Sequence, residues 1–206
     1  MVTMSSSSGA APTFTETARR AQIVQAAITT VNELGYPRAS LAEIARRAGV
    51  AKSAIVYYFA SKDMLLLHVV EHVFTALDDV RDKAVAAHTD PAAQLRAYVG
   101  SHLAHVDGHR PEITAGIEIV VSHRGPDGIP LYLTATDEDT ALLRRILGDG
   151  MAQGVFRQLP LRLAVDVVEA LLDTVTTQLQ RDPTADLGTL REEIPTIVFR
   201  ALAAPE

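Results

Sequence analysis

Apolar residues recur at helical spacing along most of this chain. Ile23, Ala27, Val31 and Leu34 fall on one face, the stripe that a 3.6-residue turn lines up. Thr13 or Thr15 can cap that helix, and Gly35-Tyr36-Pro37 ends it. Ser40-Leu41-Ala42-Glu43 reads as a capping box, in which the serine accepts from an early backbone N–H and the glutamate reaches back. A short helix then runs to about Ala48, Gly49 breaks it, and the residues after Val50 form a second short helix. Ser61 caps a long helix with Asp63 in its first turn; Leu65, Leu66, Val69, Val73 and Leu77 line it, and it ends near Ala87. Further helices are predicted over about 91–107, 111–122, 132–152, 160–180 and 187–203, with a Gly/Pro-rich loop at 122–130. Asp137, Glu138 and Asp139 would suit the start of the 132–152 helix. No convincing strand, internal repeat or phosphate-binding loop emerges. The fold class is all-α, with about nine helices.

Composition adds limits. At 206 residues and 48% hydrophobic, the chain can bury a sizeable core. It has no cysteine, which removes disulfides, thiolate catalysis and cysteine-based zinc sites. Residues 1–13 are polar, lack the charged and apolar regions of a signal peptide and read as a disordered tail. With no apolar run long enough to span a bilayer, the expectation is a cytoplasmic protein without a membrane partner.

Charge is uneven. Residues 14–63 hold seven Lys/Arg and four Asp/Glu, whereas residues 64–206 hold twelve and twenty-one. A basic N-terminal quarter on an acidic body suggests two jobs, and a local basic face can serve phosphate although the net charge is −6.

The basic quarter contains "ASLAEIARRAGVAKSAIVYYFASKDMLL". Two short helices meet there across Gly49, which can take the left-handed conformation of the turn. Ala45 is small enough for them to cross closely, and Ile44, Ala48, Val50 and Ile55 can close a small core. This is helix-turn-helix spacing, which frees the outer face of the second helix for a DNA major groove. Together with "IVQAAITTVNELGY" before it, the stretch resembles the DNA-binding domain of TetR-family transcriptional regulators over about fifty residues, Ala18 to Leu67. The later helices agree with that family only in number and length.

The resemblance implies a division into the 1–13 tail, a 14–60 helix-turn-helix domain and a 61–206 ligand-binding and dimerisation domain. It implies contacts to double-stranded operator DNA from Ser40, Lys52, Ser53, Val56, Tyr57, Tyr58 and Lys62. Lysine and tyrosine suit phosphate, lysine also guanine. Ile55 and Phe59, four apart, should face inward. It further implies a homodimer built on the last two helices, with a seam of Val168, Leu171, Val175 and Leu179 on one and Leu190, Ile194, Ile197 and Val198 on the other. Both seams read equally well as core of a single chain. A small apolar or amphipathic effector would sit among the middle helices, near His102, Leu103, Val106, Ile113, Ile117, Glu118, Val120, Val121, Tyr132, Leu143, Ile146, Leu172 and Val175, with Thr134 and Gln178 as further polar candidates. Each apolar member could be plain core instead.

Two histidine patterns compete. His68-Val69-Val70-Glu71-His72 matches the inverted zinc-protease motif and would make the chain a metal-dependent hydrolase; the other reading is a histidine pair on a helix face. His102, His105 and His109 share one helical stripe that could sense a metal or an acidic ligand, or simply line a pocket or face solvent. The expectation is a ligand-responsive repressor, with no enzyme activity, cofactor or bound metal. A DNA-binding protein regulated by a partner protein is the alternative.

Overall fold

The computed structural model describes residues 13–134 and 136–203. Among them are nine α-helices: α1 (Phe14–Leu34), α2 (Leu41–Ala48), α3 (Lys52–Phe59), α4 (Lys62–Ala86), α5 (Pro91–Gly108), α6 (Arg110–Ser122), α7 (Ala141–Ala152), α8 (Leu161–Arg181) and α9 (Gly188–Leu202). The tail expected over 1–13 lies outside the described residues except for Thr13. That residue caps α1 in a complete capping box: Glu16 N–H donates to Thr13 Oγ1, and Thr13 N–H to Glu16 Oε2 at 2.8 Å.

The apolar stripe of α1 is buried at Ile23, Val24, Ala27, Ile28 and Val31 and packs on α2, α4 and α6. Gly35, at φ +77°, turns the chain into a short 3-10 turn, Tyr36–Arg38. α4 then runs uninterrupted from the three-helix head into the body, burying Leu65, Leu66, Val69, Val73 and Leu77. It lies against α5 and α6, while α7, α8 and α9 close the far side. Gly116 of α6 lets that helix approach α4, because a Cβ there would stand 3.2 Å from Val73 Cγ1. One buried core links head and body. No single helix among the described residues is long and apolar enough to cross a membrane.

Two local expectations change. The box at Ser40 is half built: Ser40 Oγ accepts from Glu43 N–H at 3.2 Å, but the Glu43 carboxylate binds Arg46 and Arg47 instead of reaching back. The helix predicted over 132–152 is divided into a 3-10 turn, Leu131–Leu133, and α7. Local side-chain bonds compete with helix here. Asp139 accepts from both the N–H and the hydroxyl of Thr136, and Thr136 Oγ1 accepts from Glu138 N–H. Asp137, Glu138 and Asp139 are therefore outside the first turn of any helix, and Asp137 pairs with Arg144 at 3.4 Å.

Candidate nucleic-acid interface and ligand cleft

Gly49 takes the left-handed conformation (φ +61°, ψ +35°) that turns α2 into α3. Val50 N–H closes the turn on Ala45 O at 3.0 Å, and Ala45, Ile44, Ala48 and Ile55 are buried beneath it. Side chains from other helices fasten the unit. Gln22 donates to Ala48 O, Arg20 to Tyr58 O, and Arg47 joins Glu43 of its own helix to Glu33 of α1. The two guanidiniums beside Glu43 hold its carboxyl well below the usual range, at about 2.

On the outer face of α3, Lys52, Ser53, Val56 and Tyr57 are exposed together, Tyr57 by 76%. Ile55 and Phe59 face inward. No side chain caps the N-terminus of α3, so its first N–H groups are free for an anion beside Lys52. Ser40 is also exposed. Tyr58 is half-buried, its ring edge-on to Tyr57. Lys62 is half-buried too, and its ammonium is engaged: Nζ donates to Tyr36 O at 3.0 Å and lies over the Tyr36 ring. Ala60, between α3 and α4, has φ +60°, a strained conformation for a residue with a Cβ.

Tyr36 is a junction between head and body. Its backbone N–H donates to Glu118 Oε1 at 3.3 Å, and its hydroxyl is 2.8 Å from His123 Nδ1. Asn32 adds a bond to Pro111 O. Glu118, a ligand candidate from sequence, is thus occupied at this junction.

The largest described cleft opens between α4, α6 and α8, with a volume of about 710 Å³. Val70 and Phe74 of α4, Ile117, Val120 and Val121 of α6, and Leu131 and Tyr132 form its apolar wall. Thr134, Thr176, Thr177 and Gln180 line it, with Asp78, Arg81, Asp139 and Asp173 toward one end. Of the sequence candidates, Ile117, Val120, Val121, Tyr132 and Thr134 border this space. Leu103, Val106, Ile113, Leu143, Ile146, Leu172 and Val175 instead lie in the core, each 2% exposed or less. They sit on the inward stripes of their helices, and sequence periodicity does not separate core from pocket wall. Gln178 is exposed outside the cleft.

In the cleft wall, Arg81 anchors a largely buried polar cluster. Arg81 donates through Nη1 to Asp78 at 3.2 Å and through Nη2 to His102 Nδ1, and its guanidinium stacks on the Tyr98 ring. Tyr98 donates to Glu169 at 2.9 Å. Burial pushes the Asp78, Glu169 and Asp173 carboxyls up, against the pull of Arg81. Burial first, then Arg81, pushes His102 down to about 3. His102 is therefore a neutral acceptor that holds Arg81, and it is absent from the cleft lining. His105 and His109 stack on each other at 4.1 Å. In the other histidine pattern, His68 contacts Glu71 and the Phe59 ring while His72 is exposed. Among the described residues no three His, Asp or Glu side chains gather as a metal site.

The expected dimer seam turns mostly inward. Val168, Val175, Leu179, Ile194 and Val198 are at most 2% exposed within the single chain, because α8 packs them on α5, α6, α7 and α9. Leu171 and Leu190 are half-buried and Ile197 is exposed. The outer stripe carries Leu163, Val167 and Ala170, one helical position from the expected one.

Residues 23–69 match the profile of the bacterial regulatory proteins of the tetR family. The HTH-type transcriptional regulator BetI of Burkholderia lata is 36% identical over 85 residues, 41% of this chain and 44% of the relative. FadR of Bacillus halodurans, a fatty acid degradation regulator, superposes with a TM-score of 0.74 at 26% identity, over 91% of this chain and 97% of its own. Residues 23–69 thus carry a DNA-binding domain of the tetR-family type. FadR of Bacillus subtilis, in complex with stearoyl-CoA, has the same fold at TM-score 0.74, with 23% identity over 88% of this chain and 98% of its own. The chain spans 44% of the length of the curated relatives it matches.

Sequence reasoning missed Tyr36 and Arg81 as functional residues, and did not pair His123 with Tyr36. An arginine inside an otherwise apolar helical stripe was the available signal for Arg81. Tyr36 carried none, since its partners are 82 and 87 residues away.

Proposed function

We propose that this chain is a ligand-responsive transcriptional repressor in the cytoplasm, binding operator DNA as a homodimer through residues 14–60. The carrying observation is the exposed face of α3, with Lys52, Ser53, Val56 and Tyr57 set beside an uncapped helix N-terminus and held from behind by Ile55 and Phe59. Lys52 and the free N–H groups take phosphate, while Val56 offers an apolar contact to a thymine methyl. Ser40 and Tyr58 flank the face. Lys62 acts through Tyr36 at least as much as through DNA. Residues 61–206 form the effector-binding and dimerisation body, with the α4–α6–α8 cleft as the effector site and the outer α8 stripe, with Ile197 and Leu190, as the dimer face. The relatives are regulators, which supports this reading over a hydrolase built on His68, Glu71 and His72.

The test begins with selection of binding sequences by the purified chain from random duplexes. Lys52→Ala should lower operator affinity and flatten the slope of log affinity against log salt by about one unit. Tyr57→Phe should weaken binding with the melting temperature unchanged. Wild-type affinity in both variants would refute the assignment.

A further inference from the structure

We propose that the α4–α6–α8 cleft takes an amphipathic organic cation: an apolar body carrying one ammonium-like head. The inference deepens the effector reading above and rests on it for its biological role. Binding itself needs no DNA.

The cleft has a defined size and an uneven charge. A cleft of about 710 Å³ fits a drug-sized molecule. Its charged lining consists of Glu71, Asp78, Arg81, Asp139 and Asp173, four acids against one base. Most of these groups are occupied. Glu71 contacts His68, and Asp139 accepts from Thr136. Arg81 is bound to Asp78 and His102 and stacked on Tyr98. Asp173 is different. Its carboxylate is exposed in the cleft wall and has no hydrogen-bond or salt-bridge partner among the described residues; only its backbone oxygen accepts, from Thr176 Oγ1 at 3.0 Å.

An anionic head would meet this acidic end with no cation free to hold it. Arg81 is only 7% exposed, and its remaining Nε–H is wholly buried and unpartnered. A neutral ligand would strip water from Asp173 and return nothing, a costly outcome for a carboxylate. A cationic head replaces that water with an opposite charge. Thr176, Thr177 and Gln180 follow Asp173 on the same face of α8 and can accept from an N–H head. The Phe74 and Tyr132 rings offer π-faces to the charge. Val70, Ile117, Val120, Val121 and Leu131 cover the apolar body. This differs from the Bacillus subtilis FadR complex, whose stearoyl-CoA is an anion.

The experiment is calorimetric titration of the full chain, without DNA, using three ten-carbon probes below their micelle-forming concentrations. They are decylammonium, decanoate and decyl glucoside. The cation should bind about tenfold or more tighter than decanoate. Raising salt from about 50 to about 500 mM should weaken the cation and leave the glucoside unchanged. Asp173→Asn should cost the cation about tenfold and spare the glucoside. Decanoate binding as tightly as the cation would overturn the proposal, as would a salt-independent cation. Those two results need no variant, so misfolding of Asp173→Asn cannot mask them. An equal cation-to-decanoate ratio in a folded Asp173→Asn would overturn it as well. Operator release is read separately. A cation that binds selectively yet leaves operator affinity unchanged supports the site and refutes the effector role.

Discussion

The His102 ring is neutral because protonation would set two cations side by side in a buried pocket. Its pKa falls from 6.5 to about 3, first through burial and then through Arg81. Between those values the unfolded chain binds a proton that the folded chain refuses, so stability falls as pH drops below about 6.5. Asp78, Glu169 and Asp173 have raised folded values and contribute the opposite slope over their own range. A difference measurement separates the two effects. His102→Asn keeps an acceptor for Arg81 and removes the titration. Thermal melts between pH 7 and pH 4.5 should therefore give a flatter acid decline for the variant than for wild type; parallel curves would contradict the assignment. The sequence marks His102 as one of a stripe of three but not its role, because Arg81 lies 21 residues away on another helix. The α3 face was easier to read. Spacing from Gly49 fixes which residues point out, and Ile55 and Phe59 are buried as that spacing requires.

Helix periodicity locates most elements to within a residue or two, because each carries an apolar stripe bounded by a cap or breaker. It fails before α7, where Thr136 and Asp139 bond locally and start a turn. It also misses close approaches that depend on a partner helix or loop. At the end of α7, Gly150 O accepts from the N–H groups of Val155 and Phe156, at 2.8 and 3.1 Å. Those bonds press the Phe156 ring onto the helix, and a Cβ on Gly150 would stand 2.1 Å from its Cδ2. The ring is 3% exposed and cannot swing into solvent without losing its burial. Gly150→Ala should cost about 1–3 kcal/mol despite the better helix propensity of alanine. Chemical denaturation should show a lower midpoint with an unchanged slope; a more stable variant would mean that Phe156 repacks freely.

For the molecule as a whole, the sequence supports two functional parts but not the joint between them. That joint needs Tyr36, Glu118 and His123 together, and their separation along the chain hides it. The cleft wall was half legible for a related reason: α6 is apolar on more than one side, and only packing shows that Ile117 and Val121 lie outside the core. If Tyr36 carries the effector signal, Tyr36→Phe should keep operator affinity and effector affinity near wild type while reducing their mutual antagonism. The coupling at stake is about 1–3 kcal/mol. Operator titrations with and without saturating effector measure it directly. An unchanged ratio would leave α4 as the sole route.

α4 has its own mechanical consequence. It is one unbroken helix of 25 residues, bordering the cleft with Asp78 and Arg81 and carrying Lys62 at its head. Sixteen residues of rise separate Asp78 from Lys62, a rigid arm of about 24 Å. A swing of about ten degrees at the cleft end displaces the head by about 4 Å. Two heads in a symmetric dimer must meet grooves about 34 Å apart, and such a displacement on both sides exceeds what side-chain adjustment absorbs. If the proposed effector fills the cleft, the arm would act as an amplifier, with the volume of that molecule setting its output.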